Sequence, residues 1–551
     1  VIEPALKESE RWLYRGLAAM VACLWLGGLA TRPLFNPDEG RYAEIPREMA
    51  SRGDWIIPHL DGLAYAEKPP LQYWATALCY RVFGTSVFAA RLYCALCALG
   101  TLALVWFMAR ALGGEGAAWR ASAMLAGMLI FAVLGHLLTL DMGLTFFLTL
   151  SMTGFLFAQR AAGAGSLSRQ RGWMLLAWVA VALGVMSKGI VAAAIPAAVL
   201  IIHSLWTRDF SAWRRSAPAL GLPLFLAIAV PWHWLAARRD GDFLQFYFVH
   251  EHVARYLTPI AQRVEPWWFF IAVLAAGSAP WTLSVLRILA GGGRRERAEG
   301  FDVRTFLWIW VVFVVVFFSL SDSKLMPYIL PVMPALALLI ALSPPQILRR
   351  DYLIAAIFTL LAGVALGAAS LHWPQLLSNS SRAEYFLPLS TAAAKIGALL
   401  SVSGAFVLVQ GTRHVTRAGV FLGTGWCLAW IMLDAAAVAV APIYSGEALA
   451  AAIPPAQREV PIYSIATYDQ SAEFYLQRSV TLVHFRGELD YGLNKNPGAA
   501  VGDLQQFAAL WSAAPQAFAI MEPSMFDQLQ SQGLPLRVVG RSADRLVAAR
   551  R

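Results

Sequence analysis

Charge is scarce in this 551-residue chain. Only 14% of its residues are Asp, Glu, Lys or Arg, while 58% are hydrophobic. Soluble domains average about 25% charged and about 45–50% apolar residues. With a mean hydropathy of +0.56, the composition excludes a soluble protein with a single anchor. Cysteine is scarce too. Cys23, Cys79, Cys94, Cys97 and Cys427 all lie in or near apolar segments, which excludes a disulfide framework. Cys94 and Cys97 have no second pair to complete a metal site, so they read as small packing residues in a span. The net charge of +10 forms no single basic patch, which argues against a nucleic-acid partner. There is no internal repeat of the kind transporters show. The N-terminal VIEPALKESERW is charged and runs straight into an apolar segment, so no cleavable signal peptide is expected.

What is present in quantity is apolar segments of spanning length. A bilayer-crossing helix needs ~20 mostly apolar residues. Segments of that kind lie near 12–30, 88–112, 117–135, 140–160, 173–188, 189–206, 217–237, 267–290, 304–320, 326–343, 352–372, 388–410 and 416–442. The 21 Trp and 30 Phe suit spans and interfaces. Basic residues alternate along the chain: Lys7 and Arg11; Arg110 and Arg120; Arg160, Arg169 and Arg171; Arg208, Arg214 and Arg215; Arg294, Arg295 and Arg297; Arg349 and Arg350; Arg413 and Arg417. The positive-inside bias places that side in the cytoplasm. The 36–87 loop, the 238–266 loop, the 319–325 turn and the C-terminal segment are then expected on the outer face.

From residue 443 onward the composition changes. VPIYSIA, DQSAEFYLQR and SVTLVHF read as strand, helix and strand; AFAIME, PSMFDQLQSQG and PLRVVG repeat the order. This predicts a small α/β domain over 443–551, following a membrane domain over 1–442 that includes the first outer loop. The C-terminal domain shows no phosphate loop or catalytic constellation, so structural cover or partner contact is its expected role.

The polar chemistry concentrates in the first outer loop, NPDEGRYAEIPREMASRGDWIIPHLDGLAYAEKPPLQYW. Asn36 reads as an N-cap, Pro37 as the first helical position and Glu39 as a capping-box carboxylate. Pro46 is expected to interrupt the helix and Gly53 to stop it. DWIIP and GLAY suit short interfacial pieces. Elsewhere, Asp141 (LLTLDMGLTF), Lys188 (MSKGI), Lys324 and Tyr328 (SDSKLMPYILP) sit at outer ends of spans, and Arg255 in HEHVARYL lies in an outer loop. A carboxylate near lipid needs a partner or a wet cavity, so these groups are expected around an outer-face depression.

At these residues the sequence resembles the bacterial aminoarabinose transferases, lipid A–modifying glycosyltransferases of the GT-C superfamily related to protein O-mannosyltransferases. The RYAEIPREM and EKPPL strings carry the resemblance, followed in order by LTLDMGLTF, MSKGIVAAAIP and SDSKLMPYILP. It covers residues 10 to 345. It implies a polytopic α-helical membrane protein of GT-C fold, with about thirteen spans and interfacial helices in the first loop. The implied location is the bacterial inner membrane, with site and C-terminal domain periplasmic. The implied reaction moves 4-amino-4-deoxy-L-arabinose from undecaprenyl phosphate to lipid A phosphates and gives resistance to polymyxin.

By the same resemblance Asp38 is the essential first-loop acid and Asp141 a second acidic position. Glu67 is a cavity acid able to hold a divalent cation. Arg41, Lys68, Lys188, Arg255 and Tyr328 match residues around the carrier phosphate, and Tyr42, Tyr65 and Lys324 are grouped with them for carrier or substrate binding. His250 and His252 are candidates to join Glu67 around a metal, although an i, i+2 pair shares a face only on a strand and this segment looks helical. Another GT-C transferase with a different sugar or acceptor is the first alternative. A lipid transporter or flippase is a more distant one.

Overall fold

The computed structural model describes residues 6–258, 263–292, 301–378, 380, 382–412 and 414–550. Arg294, Arg295, Arg297 and Arg413 lie outside the described residues. Within the described residues the chain forms two compact units. One comprises 1–28, 93–372 and 391–434; the other comprises 29–92, 373–390 and 435–551. The first outer loop, which the sequence groups with the spans, clusters with the C-terminal segment in the second unit.

Helices dominate the first unit. Among the described residues eight are long and apolar enough to cross a membrane, including Val87–Gly127, Leu140–Gly163, Leu167–Lys188 and Pro345–Leu371. Shorter apolar helices, Val191–Thr207, Thr282–Gly291, Val303–Ser319 and Met326–Ala341, accompany them. Each of the thirteen expected segments is helical, with breaks where the local chemistry demands them. Gly114 adopts φ +84° inside Val87–Gly127, a left-handed setting open to glycine, and it separates the two expected spans there. The 267–290 segment divides into Phe269–Gly277 and Thr282–Gly291 around Pro280, which has no N–H to donate. Met326–Val332 is a 3-10 turn carrying Pro327 and Pro331 before the α-helix Met333–Ala341 begins.

Leu140–Gly163 and Leu167–Lys188 pack as an antiparallel hairpin. A Cβ on Gly154 would stand 2.8 Å from the Trp173 carbonyl, so the small residue sets how closely the two helices approach. Cys94 and Cys97 are buried thiols, and the Cys94 thiol donates to the Thr139 carbonyl at 3.3 Å, as expected of packing residues.

The second unit is built on a five-stranded sheet and the first-loop helix. After the small antiparallel hairpin β1 (His59–Leu60) and β2 (Leu63–Ala64), the strands are β3 (Ile462–Ile465), β4 (Thr481–Val483), β5 (Phe518–Met521), β6 (Leu536–Arg541) and β7 (Leu546–Arg550). The order β4-β3-β5-β7-β6 is parallel at β4-β3-β5 and antiparallel beyond. The two expected strand–helix–strand repeats are present. The helix Leu504–Ala513 and strand β7 are additions that the sequence reading did not contain. One core, with Phe507, Trp511, Ala519, Met521 and Leu529, fills one face of the sheet. Leu449, Ile453, Ile520 and Val547 fill the other.

Asp38–Arg52 runs as one helix through Pro46 and stops at Gly53 (φ +71°). The expected interruption at Pro46 is absent. One missing donor is tolerable in a helix whose Gly40–Met49 stretch is largely buried. It packs on the helix Gln470–Leu476. A Cβ at Gly40 would collide with the backbone at Gln470 and Ser471, which explains the glycine in NPDEG.

Candidate functional site

Asn36 does not cap its helix. Its amide donates to Asp469 Oδ1 at 2.8 Å and accepts from the Ser471 N–H at 2.8 Å, so it ties the loop to the N-terminus of the Gln470–Leu476 helix. The first residue to carry a charge, Asp38, then emerges with its side chain 47% exposed. Its neighbour Glu39 turns inward and is buried. Arg32 Nη1 meets Glu39 Oε2 at 2.5 Å, and Arg91 meets both carboxylate oxygens at 2.8 and 3.0 Å. Arg91 also donates to the carbonyls of Leu29, Arg32 and Pro33. Glu39 accepts the Phe35 N–H at 3.0 Å as well, so its carboxylate does serve the helix start, but as the centre of a two-arginine clamp. Burial alone would raise its pKa; the two guanidiniums overcome that and hold it at about 2.

One turn on, Arg41 lies 3.3 Å from Asp38 Oδ1 and is ion-paired with Glu488. Its guanidinium also rests 5.7 Å from the Tyr42 ring centre and 6.0 Å from that of Tyr65, within cation–π range. Glu488 takes a further hydrogen bond from Gln470 at 2.6 Å. Burial lifts the Glu488 pKa above the ordinary value, and Arg41 restrains the rise. Lys68 Nζ donates to the Glu67 carbonyl at 3.0 Å, placing both side chains in the turn that starts the helix Leu71–Phe83. This unit therefore gathers Asp38, Arg41, Tyr42 and Tyr65 around a partner, Glu488, that the sequence did not flag. HFRGELDY carries no motif; only folding buries that carboxylate against Arg41.

Beside this group lies a second, more deeply buried one. Oxygens of Glu44, Glu48 and Glu473 lie within 4.8 Å of one another. Arg47 reaches Glu44 at 2.5 and 2.7 Å, Arg52 reaches Glu48 at 3.1 Å, and the Gly62 N–H donates to both Glu48 oxygens. The Val480 N–H donates to Asp61 at 2.9 Å, and Tyr468 to Glu473 at 2.6 Å. Four carboxylates thus share two guanidiniums. Burial raises Glu44 and Asp61 to about 7. Burial, then the neighbouring Asp61 carboxylate, raises Glu473 as well. Protons can supply the missing positive charge and join β1–β2 and the two helices.

In the first unit, Asp141 occupies the first turn of Leu140–Gly163, and Lys188 ends Leu167–Lys188. Each charge matches the dipole of its own helix end, and the two are ion-paired. Lys188 Nζ stands 4.9 Å from the centre of the Tyr328 ring. Next along the chain, Gly189 (φ +107°) leaves room for His252, whose Nε2 would collide with any Cβ there. His252 Nδ1 faces the Tyr247 carbonyl at 2.6 Å. His250 lies 3.3 Å from Glu251 Oε1 and stacks on Phe246. Both histidines sit on the π-helix Gln245–Ala254, and their different partners show that they do not share one face. Arg255 pairs with Glu251 at 2.6 Å. Tyr256 donates to the Phe317 carbonyl, and its own carbonyl accepts from the Asp322 N–H. That contact holds this segment to the turn carrying Lys324, which is buried.

Comparison with known proteins gives a consistent set of likenesses. Residues 449–550 match the family model described as aminoarabinose transferase C-terminal domain. Residues 11–247 match dolichyl-phosphate-mannose-protein mannosyltransferase. An undecaprenyl phosphate-alpha-4-amino-4-deoxy-L-arabinose arabinosyl transferase of Sodalis glossinidius is 37% identical over 340 residues, 61% of this chain and 59% of that protein. One from Erwinia tasmaniensis is 32% identical over 402 residues, 71% of each. The crystal structure of ArnT from Cupriavidus metallidurans bound to undecaprenyl phosphate superposes with a TM-score of 0.89 at 30% identity, covering 99% of this chain and 98% of that one.

Proposed function

The chain belongs to the family of undecaprenyl phosphate–aminoarabinose arabinosyl transferases, and from that premise we propose that it is an integral-membrane glycosyltransferase moving 4-amino-4-deoxy-L-arabinose from undecaprenyl phosphate to lipid A phosphate groups. The observation that carries the reading is the Lys188–Asp141 pair beside Tyr328: a cation and a phenol at the ends of apolar helices, suited to a phosphate on a lipid tail. In this reading the enzyme sits in the bacterial inner membrane, with its charged ends and C-terminal segment on the periplasmic face. The modified lipid A carries less negative charge, which confers polymyxin resistance.

Displacement at the anomeric carbon requires the leaving phosphate to be stabilised as it gains charge. In the first unit Lys188 and Arg255 are suited to this, Arg255 by bidentate pairing and Lys188 as a point charge; Arg41 and Lys68 carry the same chemistry in the second unit. The attacking group is a lipid A phosphate oxygen, already ionised near neutral pH, so no strong base is needed. Asp38 orients acceptor or sugar, and Asp141 or Glu67 pairs with the sugar's ammonium. In-line attack inverts the anomeric centre.

Glu67 in the second unit offers an oxygen donor and His252 in the first a nitrogen donor, the kinds a divalent cation takes. His252 has Nδ1 on the Tyr247 carbonyl and Nε2 packed against Gly189, and His250 stacks on Phe246, so neither ring is set up as a metal ligand in the way a carbonyl-oriented imidazole would be. Transfer that persists after exhaustive chelation excludes a required metal.

The test is transfer of labelled aminoarabinose from defined carrier to lipid A by the purified full chain, read by mass spectrometry. A second reading, another polyprenyl-phosphate sugar or another acceptor, is favoured only by the mannosyltransferase match over 11–247. Transfer from a mannosyl carrier to peptide, with none from the aminoarabinose carrier, would establish it.

A further inference from the structure

The C-terminal segment carries a buried acid with no part in the mechanism above. Asp469 is 3% exposed and stands just before the helix Gln470–Leu476. Its Oδ1 accepts the Ala472 N–H at 2.9 Å, the Ser471 hydroxyl at 2.9 Å and the Asn36 amide at 2.8 Å. Its Oδ2 is ion-paired with Arg545, the residue before β7. The first two contacts cap the helix that follows, and the guanidinium compensates a charge taken out of water. The bond to Asn36, 433 residues away in sequence, serves neither purpose.

What that bond fixes is the backbone on which Asp38 stands. Asn36 Oδ1 accepts the Ser471 N–H at 2.8 Å, and the Asn36 N–H donates to the Tyr444 carbonyl at 2.7 Å. The carbonyls on either side of Asn36, those of Phe35 and Pro37, accept the N–H groups of Glu39 and Arg41 at 3.1 Å each. The first turn of Asp38–Arg52 is therefore built on the residues flanking Asn36. Beyond Asp38, Gly40 lies against the backbone of Gln470 and Ser471 with no room for a Cβ. Asp38 thus sits between two anchored residues, one two positions before it and one two positions after, and both rest on 469–471. Its own carboxylate is half exposed and touches Arg41 at 3.3 Å. With so little packing around that side chain, its direction is set by where the backbone is held.

We propose that Asp469 is a positioning residue for transfer, acting through Asn36 to fix where Asp38 is presented. The inference rests on the reading of Asp38 as the acid that orients acceptor or sugar. It gives the C-terminal segment a part in the reaction beyond cover: a buried acid, already held by its own helix and by Arg545, sets the place of an open one. A misplacement on the order of 1 Å in such a group costs about a hundredfold in rate, so even a small slackening of the loop is measurable.

The test uses the purified full chain, transferring labelled aminoarabinose from defined carrier to lipid A. The kcat per folded molecule, the KM for the carrier and Tm are read in parallel. Asn36→Asp sets a second carboxylate against Asp469. It is expected to lower kcat by about ten- to hundredfold and to leave KM within about twofold, because the broken contact touches no substrate. Adding Asp469→Asn puts an amide opposite a carboxylate again, with the two exchanged, and is expected to recover most of the lost kcat, as a coupled pair must. A purely structural role would instead lower Tm with each substitution and recover nothing. Asn36→Ala removes both side-chain bonds without adding repulsion, so it decides the matter if Asn36→Asp fails to fold; its kcat is expected to fall by about tenfold. Wild-type kcat in folded Asn36→Ala, losses that only follow the folded fraction, or a folded double variant without recovery overturns the proposal. Asp38→Asn separates the two levels. If it is inactive while the Asn36 variants are normal, the positioning role fails and the reading of Asp38 stands; if it is fully active, both fail.

Discussion

Arg41, one turn into the first-loop helix, is ion-paired with Glu488 of the C-terminal segment. The pair fixes the guanidinium that the proposed mechanism directs at phosphate, and the same guanidinium touches Asp38 at 3.3 Å. Glu488→Gln removes the charge and keeps the shape. Transfer is expected to fall by about tenfold or more, because a buried cation that loses its partner reorients or recruits another acid. Lipid A mass spectrometry and an in vitro rate check it; a rate equal to wild type would remove Glu488 from the site.

Asp38 and Glu39 are adjacent acids with opposite duties, and amide substitutions separate them. Asp38→Asn is expected to abolish transfer with Tm unchanged, since its side chain is half exposed. Glu39→Gln leaves Arg32 and Arg91 buried without their carboxylate and is expected to cost about 3–5 kcal/mol, seen as a large fall in Tm or loss of folded protein. The reverse pattern would reassign both residues.

Gly40 faces the backbone of Gln470 and Ser471, where a Cβ cannot fit. Gly40→Ala therefore forces the two helices apart. The expected outcome is destabilisation by about 1–3 kcal/mol, the range for overpacking, with faster proteolysis of the C-terminal segment. Unaltered Tm and protease resistance would count against this close packing.

The Glu44, Glu48, Asp61 and Glu473 group makes stability depend on pH. Glu44 and Asp61 titrate at about 7 when folded, well above their ordinary 4.5 and 3.8. The native state therefore holds more protons than the unfolded chain across that interval, and its stability falls as pH rises toward and through 7. His59, held low by burial and Arg52, acts in the opposite direction as a single group. Tm is expected to be higher at pH 5.5 than at pH 8, with a smaller difference in Glu473→Gln, which carries the neutral form permanently. A Tm that rises over that interval in the wild type would show that the cluster is ionised throughout. At lower pH the sign reverses: Glu39, at about 2 when folded, loses its contribution as pH falls below the ordinary carboxylate range.

Much of the architecture is written in local pattern. Long apolar runs fix where helices form, because no other backbone satisfies its own hydrogen bonds in lipid. Alternating strand and helix signals from 460 to 540 give the C-terminal sheet four of its five strands. The candidate acids and cations, Asp38, Asp141 and Lys188, were legible because charge in an apolar chain is conspicuous.

Tertiary contact decided the rest. Asn36 looked like a cap from its neighbours alone, yet its amide serves Asp469 and Ser471. Glu39 looked like a capping carboxylate, and its charge is spent on Arg91, distant in sequence. Glu488 gave no local sign at all. A propensity is a property of adjacent residues, whereas a buried ion pair exists only once remote segments have excluded water between them. The sequence by itself determined that the chain spans a membrane and which polar residues stand out; only the tertiary structure decided which of those charges are buried with their partners and which, like Asp38 beside Arg41, stay half exposed.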